Sequence, residues 1–198
     1  MQYLVLVGAL CSVVFGSVYL IATLQGKAQP NKVTWLLWAV SPLISVVATI
    51  AATGFDWSIL PVFMAGFMPL LVFIASMFNK SAYWELSFLD YLCGIVAIFA
   101  IIIWRLTDDP ILAIIFSILS DAIASIPTLR KAWLYPNTEA PVYYIGGVIS
   151  STSAILAATT HWSFSTASFP IYLFILDTSL MLIVLLRKSA LSDNKMTP

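Results

Sequence analysis

Seven apolar stretches of about twenty residues divide this chain from end to end: 3–24, 33–53, 58–78, 88–105, 110–132, 140–159 and 168–187. About twenty apolar residues in an α-helix cross the hydrocarbon layer of a bilayer, and an isolated segment can satisfy its backbone there only as a helix. The expected fold is therefore an all-α integral membrane protein with seven transmembrane helices. The breaks GKAQPN, TGFDW, NKSAYWE, RLTDDP, YPNTEAP and THWSFSTASFP hold most of the charges, turn formers and interface aromatics. Composition agrees. With 61% hydrophobic and 9% charged residues the chain cannot cover a soluble surface, for which charged residues usually make up about 25%.

The first stretch has no basic segment before it and no A-x-A-like site after it, so it reads as a spanning helix rather than a signal peptide. With seven crossings, one side of the membrane receives the N-terminus and holds Arg105 alone. The other holds Lys27, Lys32, Lys80, Arg130, Lys131, Arg187, Lys188 and Lys195. Positive residues stay in the cytoplasm. The N-terminus is expected outside, the C-terminus in the cytoplasm, and the protein in the cell membrane as a multi-pass chain.

Two copies of one pattern follow each other along the sequence. At a shift of 106 residues, Pro30 falls on Pro136, Asn31 on Asn137 and Trp38 on Tyr144. The small-residue series Ser41, Ser45, Ala48 and Ala52 falls on Gly147, Ser151, Ala154 and Ala158. Small residues at helical spacing let backbones approach closely in lipid. We read two parallel three-helix repeats, 1–80 and 108–190, joined by a linker helix in 81–107 and followed by a polar tail, 191–198. In this 3+1+3 plan the extra crossing keeps the repeats parallel. The polar run from Lys188 onward is expected to be irregular.

Several classes fall away. A formal net charge of zero without a basic block argues against a nucleic-acid partner. Cys11 and Cys93 lie in apolar runs and read as buried small hydrophobes. His161 is the only histidine, so no multi-histidine metal site is expected, nor any cofactor. Every lysine lies in a loop or the tail, which removes a retinal Schiff base. No protease motif accompanies the intramembrane acids, and we expect no enzyme.

The residues that carry chemistry are few. Asp121 lies near the middle of the fifth stretch, where a charge costs roughly 2.5–3.5 kcal/mol on insertion scales. Ser117, Asp121, Ser125 and Thr128 share one helical face, expected to look into the bundle. Asp121 reads either as a structural carboxyl bonded to its serines or as a substrate contact and proton carrier. Asp177 has only apolar neighbours on its own helix, Leu173, Phe174, Leu180 and Met181. The two carboxyls are expected to border one central cavity, with serines of the fifth and sixth helices, Ser125 and Ser151 among them, in its wall. Trp38 and Tyr144 read as ligand-stacking rings or as membrane-belt packing. Asp90 is an interface residue of the linker, and Asp56, Asp108 and Asp109 are solvated turn residues. Asn137 and Glu139 are expected to cap the sixth helix. Pro127 removes a hydrogen bond inside its helix and permits a kink.

The segments IPTLRKAWLYPNTEAPVYYIGG and LQGKAQPNKVTWLLWAVSP resemble the SWEET and PQ-loop transporter superfamily. That family's units carry a proline late in the first helix, a basic cytoplasmic exit, a short polar turn and an aromatic-rich start to the second helix. The resemblance covers most of the chain in architecture and about fifty residues in motif. It implies a small-solute transporter for a sugar, amino acid or vitamin-like substrate, with hinge prolines at Pro127 and Pro42. It also implies a polar substrate-binding residue on the third helix of a unit, Asp177. The expected function is alternating-access transport, proton-coupled through Asp121. The alternative is a seven-helix receptor or interaction protein that binds a ligand without moving it. A small-molecule substrate and the lipid bilayer are the expected partners, and the oligomeric state is left open.

Overall fold

The computed structural model describes residues 2–80 and 88–193; residues 1, 81–87 and 194–198, and some side chains, those of Asp90, Cys93 and Arg105 among them, lie outside that description. Within it the chain is helical, with α1 (Gln2–Leu24), α2 (Lys32–Thr53), α3 (Leu60–Ser76), α4 (Phe88–Thr107), α5 (Pro110–Leu134), α6 (Pro141–Ala158) and α7 (Phe164–Asp193). Short 3-10 turns precede α3, α6 and α7. Among the described residues six helices are long and apolar enough to cross a membrane: α1, α2, α3 with its leading turn, α5, α6 and α7. The polarity is inverted relative to a soluble protein. Leu6, Leu10, Val14 and Ile21 of α1 are exposed, whereas Ser41, Ser45, Ser117, Ser120 and Ser150 are buried. An apolar exterior with small polar residues inside is what a lipid solvent selects.

Local sequence sets the helix ends. Asn31 caps α2 by accepting from Val33 N at 3.0 Å, and Gly54, at φ 82°, closes it with its N–H on Ile50 O. Asp109 accepts from Ile111 N at 2.9 Å, with Pro110 as the first residue of α5. Asp56 accepts from Ser58 N at 2.8 Å, and its hydrogen bonds to Ser58 hold the carboxyl below the usual range. Asp56 and Asp109 thus do more than face water in turns: each fills an orphan donor at a helix start.

The last helix differs from expectation. It starts at Phe164, not at 168, and takes Pro170 inside it. A reciprocal box causes the early start: Thr166 N donates to Ser163 Oγ at 3.2 Å, and Ser163 N donates to Thr166 Oγ1 at 3.1 Å. Two orphan donors are satisfied at once, which outweighs the single bond Pro170 removes. The helix also continues through Lys188 to Asp193, where an irregular run was expected. Its end is tied down, because Arg187 Nε donates to Trp133 O at 3.0 Å and Lys188 Nζ to Glu139 O at 2.9 Å.

Six helices close a ring in which α1 packs on α3, α3 on α2, α2 on α5, α5 on α7, α7 on α6, and α6 on α1. Helix α4 lies outside it, against α5. Exchanging α1 with α5, α2 with α6 and α3 with α7 leaves every one of the six ring pairings unchanged. Hydrogen bonds show the sense of each helix. Lys131, near the end of α5, donates to Gln29 O after α1, and Asn79 Nδ2, after α3, donates to Ala28 O at 2.9 Å. At the opposite end Thr49 Oγ1 of α2 donates to Ser165 O of α7 at 3.1 Å. So α1, α3, α5 and α7 finish at one end of the bundle, and α2 and α6 return from it.

Candidate functional site

The interior of the ring holds a cavity to which all six ring helices contribute. Asp121 and Asp177 both border it. So do Trp38 and Pro42 of α2, Ser151 of α6, and the Ser12 and Ser150 pair of α1 and α6. The rest of the wall is mainly apolar and includes Met64, Met68, Leu173 and Leu176. Among the described residues no lysine, arginine or histidine lines it.

Asp121 is only 1% exposed. Tyr172 of α7 donates its hydroxyl to Asp121 Oδ2 at 2.8 Å, while Oδ1 is buried without a partner. The serines expected to hold this carboxyl bond back to their own helix instead. Ser117 Oγ donates to Ala113 O and Ser125 Oγ to Ala122 O, both at 2.7 Å. A serine hydroxyl in a helix finds a carbonyl three or four residues back more easily than a neighbouring side chain. Asp177 is half-buried and accepts no hydrogen bond among the described residues. It occupies space left by Gly147, where a Cβ would collide with the carboxylate.

Other expected residues fall outside the cavity. Ser125, buried on α5, and Pro127, two residues further on, do not line it. Tyr144 does not either; the adjacent Tyr143 does. Tyr144 is fully buried and donates to Glu139 Oε2 at 2.8 Å. This corrects the expectation for Glu139. The residue before α6 is Ala140, without a side-chain cap, and Glu139 points inward.

Glu139 is the centre of a lock at the end where α5 finishes. Its Oε1 lies 2.9 Å from Lys131 Nζ, its Oε2 accepts from Tyr144 and, at 3.4 Å, from Tyr19 of α1, and its carbonyl accepts from Lys188. Lys131 also donates to Gln29 O. Between lock and cavity lies an aromatic layer. Trp35 packs on Tyr19, Trp38 and Tyr143 at centroid distances of 4.6, 5.5 and 5.1 Å. Sequence reading missed Tyr172, Tyr143 and this use of Glu139. Only the helical offset of Tyr143 from Gly147 and Ser150 pointed toward the cavity, and a four-residue offset alone does not tell the inner face from the outer.

No family model, curated protein or solved structure matches this chain.

The chemistry on offer is that of a polar cleft in an apolar wall. It has two acids, one buried indole N–H on Trp38 without a partner, and a hydroxyl pair in which Ser12 Oγ donates to Ser150 Oγ at 2.7 Å. Among the described residues no group of three metal-ligating side chains forms.

Proposed function

We propose that this chain is a small-solute membrane transporter that works by alternating access, with the ring cavity as its substrate site. The observation that carries the reading is the cavity itself. Every ring helix contributes to its wall, and it lies between two sets of helices related by an exchange that preserves the ring. Rocking α1–α3 against α5–α7 would expose it at one end and cover it at the other, as in transporters built from repeats. The two sets pack along the α1–α6 and α2–α5 seams, and side-chain hydrogen bonds across them include Tyr19 to Glu139, Lys131 to Gln29, Ser12 to Ser150 and, at the far end, Thr49 to Ser165.

In this reading the chain is a 3+1+3 protein of the SWEET and PQ-loop plan, with α4 as linker. The lock end carries Lys27, Lys32, Arg130, Lys131, Arg187 and Lys188 and faces the cytoplasm. Asp177 and Ser151 contact the substrate, Trp38 covers it, and Asp121 carries a proton between the two faces. Pro42, at the cavity, and Pro127, beyond it, supply the bends. Sugar, amino acid and vitamin-like solutes are the classes to test.

The test is uptake of labelled members of these classes into proteoliposomes under an imposed pH gradient. Accumulation should follow the gradient, and Asp121→Asn should lose that response while keeping exchange at equal pH. Wild-type uptake that ignores the gradient would remove the proton role. Binding without uptake would favour a receptor.

A further inference from the structure

The charge balance of the cavity narrows the substrate class. Both acids border it, no basic side chain lines it, and neither acid is neutralised by an ion pair among the described residues. A buried carboxylate without a counter-charge is costly, and a ligand that brings one relieves the cost. Two further observations show places for a ligand. Asp121 Oδ1 and Trp38 Nε1 are buried polar atoms without partners among the described residues, an acceptor and a donor on two residues that line the same space. Asp177, partly open and free of hydrogen bonds, adds a second acceptor.

Building on the transport reading above, we propose that the substrate is a compact organic cation, an alkylammonium whose charge sits at Asp121 and Asp177 and which exchanges there with protons. The wall argues against calcium, which takes six to eight oxygen ligands, whereas Met64, Met68, Leu173 and Leu176 line much of the space that the acids border. An alkylated ammonium suits this mixture, with carboxylates for its charge and the rings of Trp38 and Tyr143 for its CH groups and cation–π attraction. Trp38 Nε1 can donate to an oxygen elsewhere on the ligand.

Protons and ammonium ions then compete for the same carboxylates. The other titratable groups that face them are Tyr143 from α6 and Tyr172 from α7; the cavity residues of α1, α2 and α3 are uncharged. The sign follows directly: a protonated carboxyl loses its attraction for the cation, so affinity falls as pH is lowered.

The experiment is equilibrium binding to the purified full-length chain with choline, 1,4-diaminobutane, glucose, and 3,3-dimethylbutan-1-ol, the neutral isostere of choline. Choline should bind and should exceed its isostere by roughly tenfold or more, the range for a charge-assisted contact. Affinity should drop on going from about pH 8 to about pH 5, because protonation removes the carboxylate charge that holds the cation. Asp177→Asn should reduce cation affinity and Thr152→Ala, on the lipid side, should not. Equal binding of choline and its isostere overturns the proposal without reference to any variant. So does failure of choline to bind. Binding of glucose with neither cation overturns the cation class yet leaves the transport reading standing, because uptake is measured separately.

Discussion

The carboxylate of Asp177 on α7 rests against the bare backbone of Gly147 on α6, in the space a side chain at 147 would take. The glycine permits helix contact at this point and also sets where the carboxylate stands in the cavity.

Gly147→Ala should therefore act on the site and on packing together. Its Cβ meets the carboxyl of Asp177 and must push α7 or rotate Asp177. Overpacking of this kind costs about 1–3 kcal/mol. The expected outcome is a folded protein with lowered melting temperature and strongly reduced ligand binding. Gly146→Ala collides with Phe15 instead. It should cost comparable stability with a smaller loss of binding, as thermal melts and binding isotherms on both variants will show.

The lock gives a ranked series. Glu139→Ala leaves Lys131 and Tyr144 without their buried partner, and breaking a buried pair from one side costs about 3–5 kcal/mol. Tyr144→Phe removes one hydrogen bond, worth about 0.5–1.5 kcal/mol net. Tyr19→Phe removes a contact of 3.4 Å and should cost least. Thermal unfolding in detergent should rank the three in that order.

Ser163→Ala removes the reciprocal box that starts α7 ahead of Pro170. Loss of such a cap costs about 1 kcal/mol. Hydrogen exchange should increase at residues 164–167 and stay unchanged at the far end of the helix near Lys188.

The two prolines should separate. Pro42 lines the cavity and Pro127 does not. Pro127→Ala restores a backbone hydrogen bond in α5 and should slow turnover while leaving binding near wild type; Pro42→Ala should change both. Substrate exchange rates and binding isotherms on the two variants measure this.

Much of the framework was legible in the chain because its determinants are local. Helix ends at Asn31, Gly54 and Pro110 follow capping and proline rules that act within a few residues. The small-residue stripe of Ser41, Ser45 and Ala48, matched by Gly147, Ser151 and Ala154, marks faces that pack within the ring, although Ala52 is exposed. The start of α7 was misplaced because Pro170 is a stronger signal on paper than the Ser163–Thr166 box. The partners of Asp121 and Glu139 were illegible for a different reason. Tyr172 lies 51 residues from Asp121, and Tyr19 lies 120 from Glu139. Only the ring order of the helices brings them together, and periodicity within one helix does not encode that order.

The central claim is that the cavity faces each side of the membrane in turn, and it can be tested without knowing the substrate. Ser151→Cys, in a chain with Cys11 and Cys93 replaced by alanine, places one thiol in the cavity wall. A membrane-impermeant cationic methanethiosulfonate, added to right-side-out or to inside-out vesicles, reports which side reaches it. Labelling is expected from both sides, with the cytoplasmic rate raised when Glu139→Gln weakens the lock. Labelling from one side alone, in wild-type and Glu139→Gln backgrounds alike, would contradict alternating access and leave a binding pocket that does not transport.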